Sequence, residues 1–170
     1  IKNDFESNII LNSITDYDKN YDIFAKLDYR IKKTIKNCRI LNNHQSIIGV
    51  KLEDLSEIKE IQHNFTNYFD LWDSINDFMT EKIQWLTEPM KKTERKRLKE
   101  VYDKSINTID RLEKSIFKKD KPAANEIIQL MRKEIKAFQP YLPILYDLIN
   151  PDLKPSQISE LSKDLEIFIP

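Results

Sequence analysis

The residue types that most often ligate metals or act as nucleophiles are scarce in this chain: it holds two histidines and one cysteine. His63 falls on an outward position of a helical repeat, and His44 in a stretch that reads as a loop. Zinc needs several ligands at characteristic spacing, and neither histidine has a cysteine or a second histidine nearby. Both read as solvated surface residues. Cys38 lies on an apolar helical stripe and reads as a buried, inert thiol. A reactive thiolate needs an electropositive, partly open site, and a helix carries Lys36 and Arg39 off the Cys38 direction. Asp70, Asp73 and Asp77 share one helical face. Paired carboxylates do acid–base work only in a cleft that shifts their proton affinities. These lie opposite an aromatic face and read as a solvated acidic surface.

Lys91, Lys92, Arg95, Lys96, Arg97 and Lys99 form a basic run. Such a run can meet phosphates or an acidic partner. Glu94 and Glu100 interrupt it, so a charged solvent face at a bundle end is the plainer reading. Trp72 and Trp85 could frame a ligand, but they fall on two apolar rows of one helix, where core packing is expected. No grouping of nucleophile, base and oxyanion donors emerges.

The bulk properties narrow the class further. With 170 residues the chain suffices for one domain or an elongated bundle. It opens on Ile1 without a methionine, which reads as a piece of something larger. The formal charge is zero, which disfavours a dedicated nucleic-acid binder. One cysteine allows no intrachain disulfide and fits a reducing compartment. No signal-peptide pattern and no apolar run of membrane-spanning length is present, so no membrane association is expected. Gly49 is the single glycine. P-loops and dinucleotide fingerprints need several, and hairpin-rich β folds use glycine at their turns. No cofactor and no catalysis are expected of this segment.

Those residues must be positioned by long helices. Ile58, Phe65, Trp72, Met79 and Leu86 stand seven apart, and Ile61, Tyr68 and Ile75 follow the first three by three positions. That is an a/d heptad seam. Lys82 breaks its apolar sequence. A second row, Leu71, Phe78 and Trp85, lies one position before it, with Phe69 and Ile83 flanking the other side. The remaining positions, Asn67 and Ser74 among them, are polar and read as outward. The helix spans about Leu55 to Met90, about 45–50 Å long. Asp54 or Ser56 can cap its start, and Pro89 ends it.

An earlier helix starts at Tyr17 and reads through Phe24, Leu27, Ile31, Ile35 and Leu41 to a stop at Asn42 and Asn43. His44 to Glu53 reads as a loop that packs back onto the bundle. A third helix runs from Thr93 to Phe117 along Leu98, Val101, Tyr102, Ile106, Ile109, Leu112 and Ile116. A fourth opens at Pro122 and buries Ile127, Ile128, Met131, Ile135 and Phe138. Pro140 and Pro143 break it. A short helix from Ile144 to Ile149 and a last one from Pro155 to Leu165 follow, then an extended end to Ile169. Ile9 to Leu11 reads as a strand or a helix tail. Short connections make sequential helices antiparallel neighbours. The fold class is all-α, an elongated array of antiparallel amphipathic helices, divided into an N-terminal segment through residue 43 and a helical bundle over residues 44–170.

Two stretches resemble the dynein heavy chain where its tail leads into the N-terminal part of the linker. In NFTNYFDLWDSINDFMTEKIQWLTEPM, Asn64 to Met90, the residues Leu71, Trp72, Trp85 and Pro89 match the family's Leu-Trp, later tryptophan and proline turn. In YLPILYDLINPDLKPSQISELSKDLEI, Tyr141 to Ile167, Leu142, Pro143, Leu148, Asn150, Pro151 and Leu153 match its Leu-Pro and Leu-x-Asn-Pro pattern. The loop LNNHQSIIGV is similar but less specific. The family carries Arg-His-Trp after the Asn-Pro turn, where this chain has Ser156, Gln157 and Ile158, a departure that fits a divergent, axonemal isoform.

The resemblance implies a mechanical segment of a microtubule motor. ATP and magnesium would belong to the motor ring, outside this chain. Partners would be other heavy-chain regions, intermediate or light chains, or a second heavy chain, with microtubules met only through the rest of the motor. The place implied is the cytoplasm and cytoskeleton, including the ciliary axoneme. The alternatives are a spectrin-like scaffold without a motor, a basic-patch binder of nucleic acid or acidic lipid, and, remotely, a small helical enzyme.

Overall fold

A computed structural model describes residues 14–88, 94–115, 122–150 and 152–164. All elements among them are helical. After a single 3-10 turn at Ile14–Asp16, α1 spans Tyr17–Ile48 and α2 spans Ser56–Thr87. Next come α3, Arg95–Ser115, and α4, Pro122–Phe138. A 3-10 turn at Gln139–Tyr141 leads into α5, Leu142–Leu148, and α6 covers Pro155–Asp164. The expectations for Ile9 to Leu11, Pro89, Lys91 to Thr93, Ile116 to Lys121, Pro151 and Leu165 to Ile169 lie outside the described residues.

Helix α2 is the member that the others share. At 32 residues it is about 48 Å long. Its seam residues face α1, where Phe24 stacks on Phe65, Tyr68 and Trp72 at centroid distances of 5.7, 6.5 and 6.2 Å. Its second row faces α4, where Phe138 meets Phe78 edge-on at 5.8 Å and Trp85 face-on at 5.4 Å. A third side faces α3, through ion pairs described below. Phe24, Leu27, Ile31, Ile35, the α2 aromatics, Leu98, Ile109, Ile128, Met131 and Phe138 form one continuous core.

Several expectations are corrected. Helix α1 does not stop at Asn42 and Asn43 but continues to Ile48 and ends on Gly49, whose φ of 72° is the left-handed conformation that glycine adopts without strain. Asn42 is used otherwise: its amide donates to the Glu53 carbonyl at 3.0 Å and accepts the Glu53 N–H at 2.9 Å, closing the α1–α2 hairpin. The stretch after it does not pack back, since Ile47 and Ile48 are 82% and 71% exposed. Cys38 is only partly covered, because Ile35 is the last buried residue of α1. Leu86 is exposed: the antiparallel α1 begins opposite the middle of α2, so the seam has no partner that far along. Asn67 and Ser74, read as outward, are buried, because a helix packed on three sides keeps little outward face.

The helix ends follow local chemistry. Asp54 accepts hydrogen bonds from the Ser56 N–H, at 2.9 Å, and from the Ser56 hydroxyl. These bonds hold its carboxyl below the usual range. Glu88 is extended, as a residue before proline prefers. At α6, Gln157 accepts the Lys154 N–H at 2.9 Å and returns its own N–H to the Lys154 carbonyl at 2.9 Å. That is the reciprocal half of a capping box, with Pro155 in the first helical position.

Candidate functional site

The feature with most structure in it is the set of seams that tie α2, α3 and α4 together. Along α2, Asp70, Asp73, Asp77 and Glu81 recur every three or four residues and so share one side of the helix. Along the antiparallel α3, Arg97, Lys104 and Arg111 stand seven apart. The two rows meet. Arg97 pairs with Glu81 at 2.7 Å, and Arg111 with Asp70 at 2.6 Å. Lys104 lies between Asp73 and Asp77, at 2.8 and 2.7 Å. The acidic face read as solvated is therefore an ionic seam. The basic run read as a solvent face at a bundle end contributes Arg97 to it.

A second seam joins α3 to α4. Arg132 bridges Asp110 at 2.8 Å and Glu113 at 2.6 Å, and Gln129 donates to the other oxygen of Glu113 at 2.8 Å. A third tie crosses from α2 to α4, where Lys82 meets Glu134 at 2.7 Å. Lys82 breaks the apolar seam in sequence, and its place beside Glu134 is the reason it can.

The electrostatics agree with the geometry. Burial pulls the Lys104 ammonium down, but hydrogen bonds to Asp73 and Asp77 and their charge outweigh it and raise it above the ordinary lysine value. The hydrogen bond to Glu81 raises Arg97 against the opposing effect of burial. Hydrogen bonding to Asp110 does the same for Arg132. These pairs are partly exposed, so each contributes modestly to stability and more to register.

Arg95 lies over the ring of Tyr146 in α5, 5.3 Å from its centroid, a cation–π contact. Burial raises the phenols of Tyr146 and of Tyr102 in α3. Lys96 pairs at 3.7 Å with Glu100 along its own helix.

The landmark residues divide. Leu71, Trp72, Trp85 and Leu142 are buried, Leu148, Asn150 and Leu153 are half-buried, and Pro143 is exposed. Trp72 and Trp85 face different neighbours, Phe24 of α1 and Phe138 of α4. Asn150 builds the turn after α5: its side chain accepts the Asp152 N–H at 3.1 Å and its carbonyl accepts the Leu153 N–H at 3.0 Å. Pro89 and Pro151 lie outside the described residues. His44 and His63 are exposed. Among the described residues no group of His, Cys, Asp or Glu could hold a metal ion, and no helix is long and apolar enough to cross a membrane.

Sequence reasoning missed the three cross-helix ties. The signal for one was present: acids every three or four residues on α2 and bases every seven on α3 match if the helices run antiparallel.

Comparison with known proteins gives these seams a family. The model of the dynein heavy chain, N-terminal region 2, matches residues 58–170. Dynein axonemal heavy chain 1 of Mus musculus is 28% identical over 144 residues, 82% of this chain and 3% of that protein. The proteins of the same name from Rattus norvegicus and Homo sapiens are 27% and 26% identical over the same length. This chain spans a small fraction, 3%, of each of these relatives. No solved structure matches. With the family's N-terminal region covering α2 through α6, this chain belongs to the dynein heavy chains, as a segment of their N-terminal region.

Proposed function

We propose that this bundle is a stiff mechanical segment of its heavy chain, passing the ATP-driven stroke of a microtubule motor between ring and tail. The observation that carries the reading is α2, a helix of 32 residues packed on α1, α3 and α4 and pinned to two of them by ion pairs. Closely packed interiors compress little and pass on strain, so a continuous helix with packed neighbours, on three sides at its middle, suits load along its length. The segment itself is non-catalytic in this reading. ATP and magnesium act in the ring, and microtubules are met only through the rest of the motor. Its neighbours would be other heavy-chain regions, intermediate or light chains, or a second heavy chain. The axonemal relatives support a place in the ciliary axoneme.

The test is mechanical. Trp85→Ala and Lys104→Glu would be introduced into the intact heavy chain and the motor held in an optical trap. A smaller or softer stroke at unchanged ring ATPase is the expected result. A stroke of unaltered size and stiffness would overturn the proposal.

A further inference from the structure

Beyond the packed part of the bundle, α1 and α2 continue as a bare two-helix arm. No residue of α1 after Ile35 is buried, and none of α2 before Phe65. Helix α3 makes its ion pair nearest the arm at Arg111 to Asp70. From there to the hairpin tip no ion pair ties the arm to a third helix among the described residues, and none of its residues is buried. Ile40 and Leu41 are 44% and 46% exposed on its shaft.

One side of this arm is a groove lined by Lys32, Ile35, Lys36, Arg39, Ile40 and Gln62. The α1 residues in it step by three and four along one helical face. Its floor is aliphatic and its rim cationic. Three bases line it, Lys32, Lys36 and Arg39, and the one acid near them on α1 is Asp28. Asp28 is taken by Lys32 at 2.6 Å. Among the described residues, Lys36 and Arg39 have no carboxylate within ion-pair distance. Elsewhere this bundle meets its bases with acids across a helix seam, as Lys104 meets Asp73 and Asp77. Here the bases and the aliphatic floor stand without the third helix.

We propose that this groove receives an amphipathic helix with acidic flanks, supplied by a separate polypeptide. The docked helix lays its apolar stripe over Ile40 and the aliphatic stems of Lys36 and Arg39 and sets carboxylates against the heads of Lys36 and Arg39, completing a three-helix section. A separate chain fits the composition. A surface covered permanently within one chain is as apolar as a core, whereas this one mixes the half-exposed Ile40 with asparagine, glutamine and unpaired charge, the make-up of an interface between chains that also fold apart. Complementary charge at its rim speeds encounter and sets orientation. This deepens the partner reading above but rests on the arm alone: a bundle that carries no load would still bind the helix, so the two proposals fail separately.

The probe is a designed helix with a leucine seam flanked by glutamates, and a twin with lysines in their place, titrated against the 170-residue chain. The acidic helix is expected to bind and the basic twin not. Lys36→Glu with Arg39→Glu should weaken the acidic helix at least roughly tenfold and admit the basic one. Both residues are exposed, and circular dichroism would confirm that the variant keeps its helices. Equal binding of the twins, or binding of neither, overturns the proposal. In the intact heavy chain, a photoreactive amino acid at Asn43, which lines the groove, should crosslink to a net-acidic heptad segment of another polypeptide. A crosslink confined to the heavy chain itself, or none, overturns it as well.

Discussion

The indole of Trp85 and the ring of Phe138 stack 5.4 Å apart with their planes inclined by 29°. They join the far end of α2 to the end of α4, just before the chain turns through Gln139–Tyr141 into α5. Phe78 meets both edge-on, at 6.5 Å from Trp85 and 5.8 Å from Phe138. Three aromatic rings thus close the end of the bundle.

Trp85→Ala should therefore cost about 3–5 kcal/mol, the usual range for emptying a buried aromatic site. Urea denaturation would read the loss. Hydrogen exchange should rise in α4 and α5 before it rises in α1, whose tryptophan contact is with Trp72. Loosening confined to α1 would contradict this assignment of faces.

That the two tryptophans face different neighbours was legible in the sequence. Thirteen residues at 100° each put Trp72 and Trp85 about 140° apart around α2, and the structure supplies the two partners, Phe24 and Phe138. The role of Asp70, Asp73 and Asp77 was not. A helical wheel reports which residues share a face and says nothing of what crosses it; only the approach of α3 turns that face into a seam. Asn42 misled for a related reason. Asparagine is frequent at helix ends, but this one leaves the helix intact and bonds Glu53 eleven positions on. Gly49, the residue that does end α1, was in plain view and was read only for what its rarity excludes.

Gly49→Ala should weaken the last turn of α1 locally by about 1 kcal/mol, the cost of left-handed backbone for a residue with a Cβ. A Cβ built there meets nothing within 4 Å, so the effect is purely conformational. Amide exchange should quicken over the last turn of α1 while the thermal midpoint moves little, since the arm is remote from the core. Gly49→Asn should be milder, as asparagine tolerates that region better.

Stability should fall on the alkaline side. Burial raises the Tyr102 and Tyr146 phenols, and the Asp73 and Asp77 contacts raise Lys104 despite its burial. A group raised by folding contributes fully below its unfolded pKa and loses that contribution as pH climbs through the folded one. For these residues the window opens near pH 10. The Lys104 share is screened by solvent, so the phenols should dominate. Urea midpoints measured from about pH 8 to about pH 12 should drop late in the series, and Tyr102→Phe with Tyr146→Phe should flatten the drop. A curve equally steep in the double variant would show that the phenols are not responsible.

Titrating ATP into this chain should give no saturable heat at micromolar concentrations, because a single glycine cannot build a phosphate-cradling loop. A measurable stoichiometric isotherm would contradict that expectation.

Lys104 shares its charge between two carboxylates one helical turn apart, while Arg97 and Arg111, to either side of it, each hold one. Suppose that α2 and α3 slide past each other along their length. The arginines, with planar heads fixed on single partners, resist from the first ångström. The ammonium, a point charge on a flexible stem, can give up one aspartate while keeping the other. The seam therefore has a firm grip at each end and a slipping clutch at its centre. Shear of a few ångströms, less than the roughly 5.4 Å of one turn, would strain the outer ties and leave the middle one made.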